Sequence, residues 1–328
     1  MSPRLSVIIP THRRVDALAA CLESLAAQTA PRDAFEVLIV DDASPPEEHA
    51  RLKALVEGRF KDLDVTLWRQ EKSGPARARN QAVQRAKAPL VIFLNDDVTL
   101  DPNNFEAHLA AHAAHPEEEA VFRGVTEWAP DLPRTPVMRW MRENTFVYDR
   151  VQYHPVEQNY ILFHTCDLSM KTSLLRAFPF DESFDVPCCE DTDLALRLLK
   201  SGRLRLRLLP EARSLHHHPY TLRSFLRWIM PQGRGLAMLL DRHPELEYRL
   251  RGIFRLKSTQ RRRLARMVGA LARGRTQAAL SSLFDLLTLR QIDRHRPRPH
   301  ALGPGGPYPE VLLETLNGAD QVSRPSTS

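Results

Sequence analysis

The chain has 328 residues, 43% of them hydrophobic, which is enough for one large domain plus an appendage or for two domains with a sizeable core. No apolar run approaches the roughly 18 residues that cross a bilayer, the run Leu5–Pro10 is too short for a secretory leader, and Cys21, Cys166, Cys188 and Cys189 form no CxxC pair. Membrane-spanning, secreted and zinc-stapled classes are therefore not expected, and the cysteines read as reduced thiols of a cytoplasmic protein.

Charge is uneven along the chain. Residues 201–328 carry 23 Lys/Arg against 9 Asp/Glu, a net of +14, whereas residues 1–200 are net −8. The C-terminal part is expected to meet something anionic (a phosphate-bearing substrate, a lipid headgroup or nucleic acid) or else to solvate helix faces with arginine.

In chain order, "LSVIIP" (5–10) reads as a buried strand closed by proline, and 15–28 as an amphipathic helix with Leu18, Leu22 and Leu25 on one face. Strands follow at 35–44 and 64–70, then a helix at 74–87 with Pro75 in its first turn, a fourth strand at 89–97 and a helix at 102–115. Strands alternating with helices imply right-handed crossovers and a mostly parallel sheet. Beyond residue 120 the pattern loosens into a strand (120–127), a Pro-rich stretch and the segment "YILFHTCDLSMK". A helix at 188–202 closes on Gly202. "RLRLRLLP" (203–210) alternates, so its leucines are expected inward and its arginines outward. Residues 221 to about 292 read as helical, and the end is a Pro/Gly-rich tail.

Three polar clusters stand at strand ends: Pro10-Thr11-His12-Arg13, Asp41-Asp42 and Asn95-Asp96-Asp97. In an open α/β sheet, ligands bind beyond the carboxyl ends of the strands. Adjacent carboxylates there suit a metal ion, though aspartates are also common in ordinary turns. Glu190-Asp191 opens a helix after a loop, where carboxylates can serve chemistry or simply complement the helix dipole. His216, His217 and His218 follow a strand. In an extended segment His216 and His218 share a face.

"SVIIPTHRR", "EVLIVDDAS", "GPARARNQAV", "FLNDDV" and "CEDTDLALRL" resemble, in order and spacing, the family 2 glycosyltransferases of GT-A fold, over roughly residues 4–235. The resemblance implies an α/β GT-A domain, Rossmann-like, at 1–220, with a nucleotide-sugar half to about 115 and an acceptor half at 116–220. A basic helical region (221–295) and the tail (296–328) follow. It implies an inverting transfer of sugar from a nucleotide-diphosphate donor (UDP-, GDP- or dTDP-linked) to a hydroxyl of a glycan, glycolipid or lipid-linked acceptor, aided by Mn2+ or Mg2+. "LNDD" takes the place of the family's DxD motif, with Asn95 at its first position. Asp97 is then the expected metal ligand, with His216, or alternatively His218, as a further one. Pro10, Thr11, Arg13, Asp41, Asp42, Arg77, Arg79, Asn95 and Asp96 fall to the donor nucleotide. Asp191 falls to the general base, Glu190 to orienting the acceptor, and Asp167 and Trp128 to the acceptor side.

Two other classes remain in view. A nucleotidyltransferase can also use acidic metal ligands on such a sheet, but "PTHRRVD" lacks the Gly-rich loop usual after its first strand. A nucleic-acid-binding module would use the basic C-terminal helices, which lack aromatic interleaving. In "RRRLARMVGALARGR" (261–275), arginines flank an apolar stripe of Leu264, Met267, Val268 and Leu271. That pattern suits peripheral contact with an anionic inner membrane face, or packing against the catalytic domain or a second subunit.

Overall fold

The computed structural model describes residues 2–144 and 160–246, with five isolated positions (Ala270, Ala278, Leu280, Leu283 and Leu287) beyond them. These divide between two compact units. The first takes in residues 1–132, 146–185 and 190–218; the second takes in 133–145, 186–189 and 219–328.

The first unit is built on one eight-stranded sheet in the order β3-β2-β1-β4-β7-β6-β8-β5. Its strands are β1 (Leu5–Thr11), β2 (Phe35–Asp42), β3 (Val65–Gln70), β4 (Leu90–Phe93), β5 (Val98–Leu100), β6 (Ala120–Trp128), β7 (Leu168–Lys171) and β8 (Arg205–His216). The first four are mutually parallel, with Leu5 opposite both Phe35 and Leu90. β1 and β2 are covered on both faces, which explains their unbroken apolar runs. The other half is mixed: β4–β7, β6–β7 and β5–β8 are antiparallel, and β6–β8 is parallel.

Helices α1 (Val15–Ala26), α2 (Pro46–Gly58), α3 (Gly74–Arg85) and α4 (Asn104–Ala114) flank the sheet. α1 buries Leu18, Cys21, Leu22 and Leu25 at helical spacing. α2 was not legible from periodicity, because only Leu52 and Val56 of its 13 residues are buried. α3 approaches closely through Ala76, Ala78 and Ala82. Two short helices complete the unit, α6 (Thr172–Ala177) and α7 (Glu190–Lys200).

Three expectations need correction. The strand expected over 89–97 ends at Phe93. The chain turns at Asn95-Asp96-Asp97 and re-enters the sheet as β5, far from β4 and hydrogen-bonded to β8. The strict alternation expected over 203–210 holds only at its start: Leu204 and Leu206 are buried, but Leu208 and Leu209 are both half-buried ahead of a bulge opposite Gly124/Val125. His216, expected to follow a strand, is instead the last residue of β8, which lies inside the edge strand β5.

The second unit contains α5 (Pro136–Asn144) and α8 (Leu222–Arg242), whose core joins Val137, Trp140, Met141, Phe225 and Leu280. Thr221 and Ser224 form a capping box at the start of α8. Leu264, Met267, Val268 and Leu271 of the apolar stripe, and the tail, lie outside the described residues.

Candidate active site

The β4–β5 turn sets the position of the acidic pair. Val98 pairs with His216, and the backbone N–H of His217 donates to the Asp97 carbonyl at 2.8 Å. The turn thus carries Asp96 and Asp97 from the centre of the sheet to the end of β8. There Asp97 Oδ1 lies 3.2 Å from His216 Nε2, and Asp97 Oδ2 lies 3.7 Å from His218 Nδ1. His216 and His218 therefore converge on one carboxylate, and the Trp128 ring backs His216 with centroids 5.3 Å apart. Asp96 is held by the Thr11 hydroxyl, which donates to its Oδ2 at 2.8 Å.

Both carboxylates are buried, 5% and 7% exposed, and they share one cation, Arg14. Its Nη1 donates to Asp96 Oδ1 at 3.1 Å and to Asp97 Oδ2 at 2.5 Å. Burial and the neighbouring Asp97 charge push the Asp96 carboxyl up. At Asp97 burial acts in the same direction but is outweighed by His216, Arg14 and His218, and the carboxyl ends well below its ordinary range. Burial lowers His218, favouring the neutral imidazole.

A second cluster forms at the start of α7. Arg79 Nη1 donates to Glu190 Oε1 at 2.7 Å, with both side chains about 6% exposed. His164 Nδ1 lies 3.5 Å from Asp191 Oδ2. Burial pushes Asp191 up, but the hydrogen bond and charge of His164, with Arg79 and the Thr192 N–H, bring it below its ordinary value. Burial and the Asp191 charge raise Glu190. The segment that carries His164 also carries Cys166, whose thiol is raised by burial and by the charges of Asp167 and Asp97. One short stretch of chain thus runs between the two acidic clusters.

Backbone strain falls at element ends. Among the described residues the non-glycine positions with positive φ are Arg13 (58°), Ala43 (62°), Asp167 (59°) and Cys189 (69°). They follow β1, follow β2, precede β7 and precede α7. Each costs roughly 1–3 kcal/mol and persists where surrounding contacts fix it.

The remaining expected residues are placed as follows. Asp41 is fully buried and bonds to the Ser44 N–H and His49. Asp42 accepts from Gln70, Lys72 and the N–H groups of Ser73 and Gly74. Gly74 needs its positive φ of 83°, and a Cβ there would stand 3.3 Å from the Asp185 carbonyl. The Arg13 N–H donates to Ser44 Oγ, Pro10 is half-buried on β1, and the Asn95 carbonyl accepts from Val98. Arg77 is exposed, 3.9 Å from Glu182, whereas Arg79 is committed to Glu190.

Asp167 is turned inward. Its carboxylate, fully buried, takes hydrogen bonds from Asn104 and His108, and His108 and His112 both reach Ser169 Oγ. Gly124 is required there, because any Cβ would collide with Asp167 Oδ2. Trp128 is likewise buried, against His216.

Sequence reasoning missed Arg14 and His164. Arg14 had a weak signal: it is the N-cap residue of α1, where a cation opposes the helix dipole and cannot cap the free N–H groups. His164 had none, since its partner is 27 residues away.

The sheet order and the acidic turn at the strand ends define a GT-A-type α/β domain. The chain belongs to glycosyl transferase family 2, whose model matches residues 6–184, more than half of it. It is 30% identical over 240 residues to validoxylamine A glucosyltransferase of Streptomyces hygroscopicus subsp. jinggangensis, covering 61% of this chain and 52% of the relative. It is 27% identical over 247 residues to the O-antigen biosynthesis protein RfbC of Myxococcus xanthus, covering 68% of this chain and 18% of the relative. The chain thus spans about half or less of these relatives' lengths. In fold it is similar to a Pyrobaculum calidifontis mannosyltransferase solved with GDP-Man and Mn2+, with a TM-score of 0.53, 18% identity, and coverage of 98% of this chain and 81% of that one. It is also similar to S. aureus TarS 1-349 solved with UDP-GlcNAc, with a TM-score of 0.50, 20% identity and coverage of 89% of each. Among the described residues no helix is long and apolar enough to cross a membrane.

Proposed function

We propose that this protein transfers a sugar from a nucleoside-diphosphate donor to an acceptor hydroxyl, with inversion, at the strand-end crevice of its first unit. The observation that carries the reading is the β4–β5 turn, which spends two buried carboxylates on a place where His216 and His218 converge.

The residues fit a divalent cation. Asp97 Oδ1 is buried and turned to His216 Nε2, 3.2 Å away, so a carboxylate oxygen and an imidazole nitrogen, both usable as ligands, face each other. Among the described residues no three His, Cys, Asp or Glu side chains form a ready-made cage. A partial set suits Mg2+ or Mn2+ here, because such ions are commonly held by one or two carboxylates together with substrate phosphates. Asp97 would hold the ion, with His216 beside it. Bound there, the ion would supply Lewis-acid neutralisation of the departing diphosphate.

The chain's own residues do the rest. Asp191, kept ionised by His164, takes the proton of the acceptor hydroxyl as that oxygen attacks the anomeric carbon. Arg79 fixes Glu190 and so the start of α7. Thr11 and Arg14 hold Asp96. The relatives named for glucosyl transfer and O-antigen biosynthesis support a glycan-type acceptor. Peripheral contact with an anionic membrane is supported on α8, where Leu222 and Leu226 are 53% and 36% exposed one turn apart, next to Arg223 and Arg227.

Nucleotide-sugars linked to UDP, GDP and dTDP, each assayed with and without Mn2+, test the reading. Cation-dependent release of one nucleoside diphosphate is expected. Release from none of them, with polynucleotide binding instead, would overturn it. Co-sedimentation with anionic liposomes that weakens with salt tests the membrane contact, and protein left in the supernatant at low salt would remove it.

A further inference from the structure

The geometry points to Arg14 as a built-in competitor of the divalent cation: its guanidinium and the ion claim the charge of the same Asp97 carboxylate, Arg14 at Oδ2 and the ion from the Oδ1 side, so metal binds well only together with the donor diphosphate. The inference rests on the reading of Asp97 as the metal ligand.

Four observations carry it. Arg14 Nη1 bridges both carboxylates, at 3.1 Å to Asp96 and 2.5 Å to Asp97. The Asp97 oxygen it occupies, Oδ2, is also the one nearest His218, so the guanidinium stands on the histidine-lined side of the turn. The carboxylates are about 7–8% exposed at the side chain whereas the Arg14 side chain is 42% exposed, so the arginine can move toward water and the acids cannot. Finally, Arg14 is the N-cap residue of α1 and its side chain makes no capping hydrogen bond there, where the helix dipole favours anions over cations. Among the described residues its side-chain hydrogen bonds go to the acidic pair.

Two adjacent buried carboxylates repel each other and need a cation. Arg14, bridging the two, meets much of that need within the chain, with His216 and His218 adding to it at Asp97. A divalent ion arriving alone must displace the guanidinium and repeat its work, gaining little. An ion arriving with a diphosphate brings phosphate oxygens to complete its shell and offers the displaced guanidinium an anion, so the exchange becomes favourable. The expected consequence is ordered or concerted binding of metal and donor.

The full chain and its Arg14→Gln variant are titrated with Mn2+, free ion being followed by electron paramagnetic resonance, first with Mn2+ alone and then with UDP or GDP present. Thermal unfolding is followed in parallel, in chelator and in Mn2+. Arg14→Gln should bind Mn2+ alone at least about fivefold more tightly than wild type, a ratio that converts to roughly 1 kcal/mol. It should also melt lower than wild type in chelator and gain more from Mn2+. Arg14→Lys, which keeps the charge but loses the planar fork, serves if the glutamine variant does not fold, and should fall between the two. Equal or weaker Mn2+ binding by both variants, with wild type still binding Mn2+ in the presence of nucleotide, would overturn the competition and leave the metal site standing. No Mn2+ binding by any protein, even with nucleotide, would overturn both.

Discussion

Arg79 and Glu190 form a buried ion pair at 2.7 Å between α3 and the first residue of α7, and the Arg79 guanidinium also lies over the Phe180 ring at 5.5 Å. A pair this dry is costly to break singly, because one charge is left without a partner in a low dielectric. Arg79→Met should destabilise the protein by about 3–5 kcal/mol, whereas Arg79→Met combined with Glu190→Gln should lose much less. Urea unfolding of the four members of the cycle checks this. Additive losses would show that the two residues stabilise independently.

His164 is expected to act through Asp191. Its hydrogen bond and charge keep the Asp191 carboxyl below its ordinary value against the upward push of burial. Asp191 works as a base only when ionised, so a lower pKa extends activity to lower pH. Removing His164 raises that pKa, and the acid limb of the pH–rate profile of His164→Ala should move to higher pH while turnover on the alkaline side is largely kept. A uniform loss at every pH would instead mark His164 as a structural contact. Asp191→Asn should lower turnover by about 10²–10⁴ with donor affinity retained.

His112 gives the fold an acid-sensitive point away from this chemistry. Burial, with the charges of Lys171, His108 and His115, lowers its pKa from 6.5 to about 3, where it packs on Phe122 and bonds to Ser169. A histidine with a depressed folded-state pKa binds fewer protons when folded. Its stabilising effect is complete above about pH 6.5 and is lost progressively as pH falls toward 3, by up to about 1.4 kcal/mol per pH unit. His112→Gln, which cannot titrate, should show a shallower decline over that range in equilibrium unfolding. An unchanged slope would assign the acid sensitivity elsewhere.

What the sequence made legible follows from the physics of each element. β1 and β2 are buried on both faces, and α1 is one-sided, so continuous and 3.6-residue patterns exposed them. α2 buries two residues and left almost no pattern. The acidic turn read as a strand end because Leu94 continues the apolar run, whereas what matters is the departure of the chain toward β8, set by pairing with residues more than a hundred positions away. The partners of Asp167 were not legible either: only tertiary contact shows that α4 supplies Asn104 and His108 to its buried carboxylate. Those α4 residues, with His112, do recur at i, i+4 and i+8, a buried polar stripe that periodicity alone can find. Arg14 was visible only as a helix start of the wrong charge.

The central claim is that Asp97 joins a divalent cation to the donor diphosphate. Its most direct test is calorimetric titration of nucleoside diphosphate-sugar into wild type and Asp97→Asn, in Mn2+ and in chelator. Wild type should bind only with the cation, and the variant should lose that dependence together with several kcal/mol of transition-state stabilisation in turnover. Equal donor affinity with and without cation, and full activity of Asp97→Asn, would contradict the account and reduce the acidic turn to a structural feature held by Arg14.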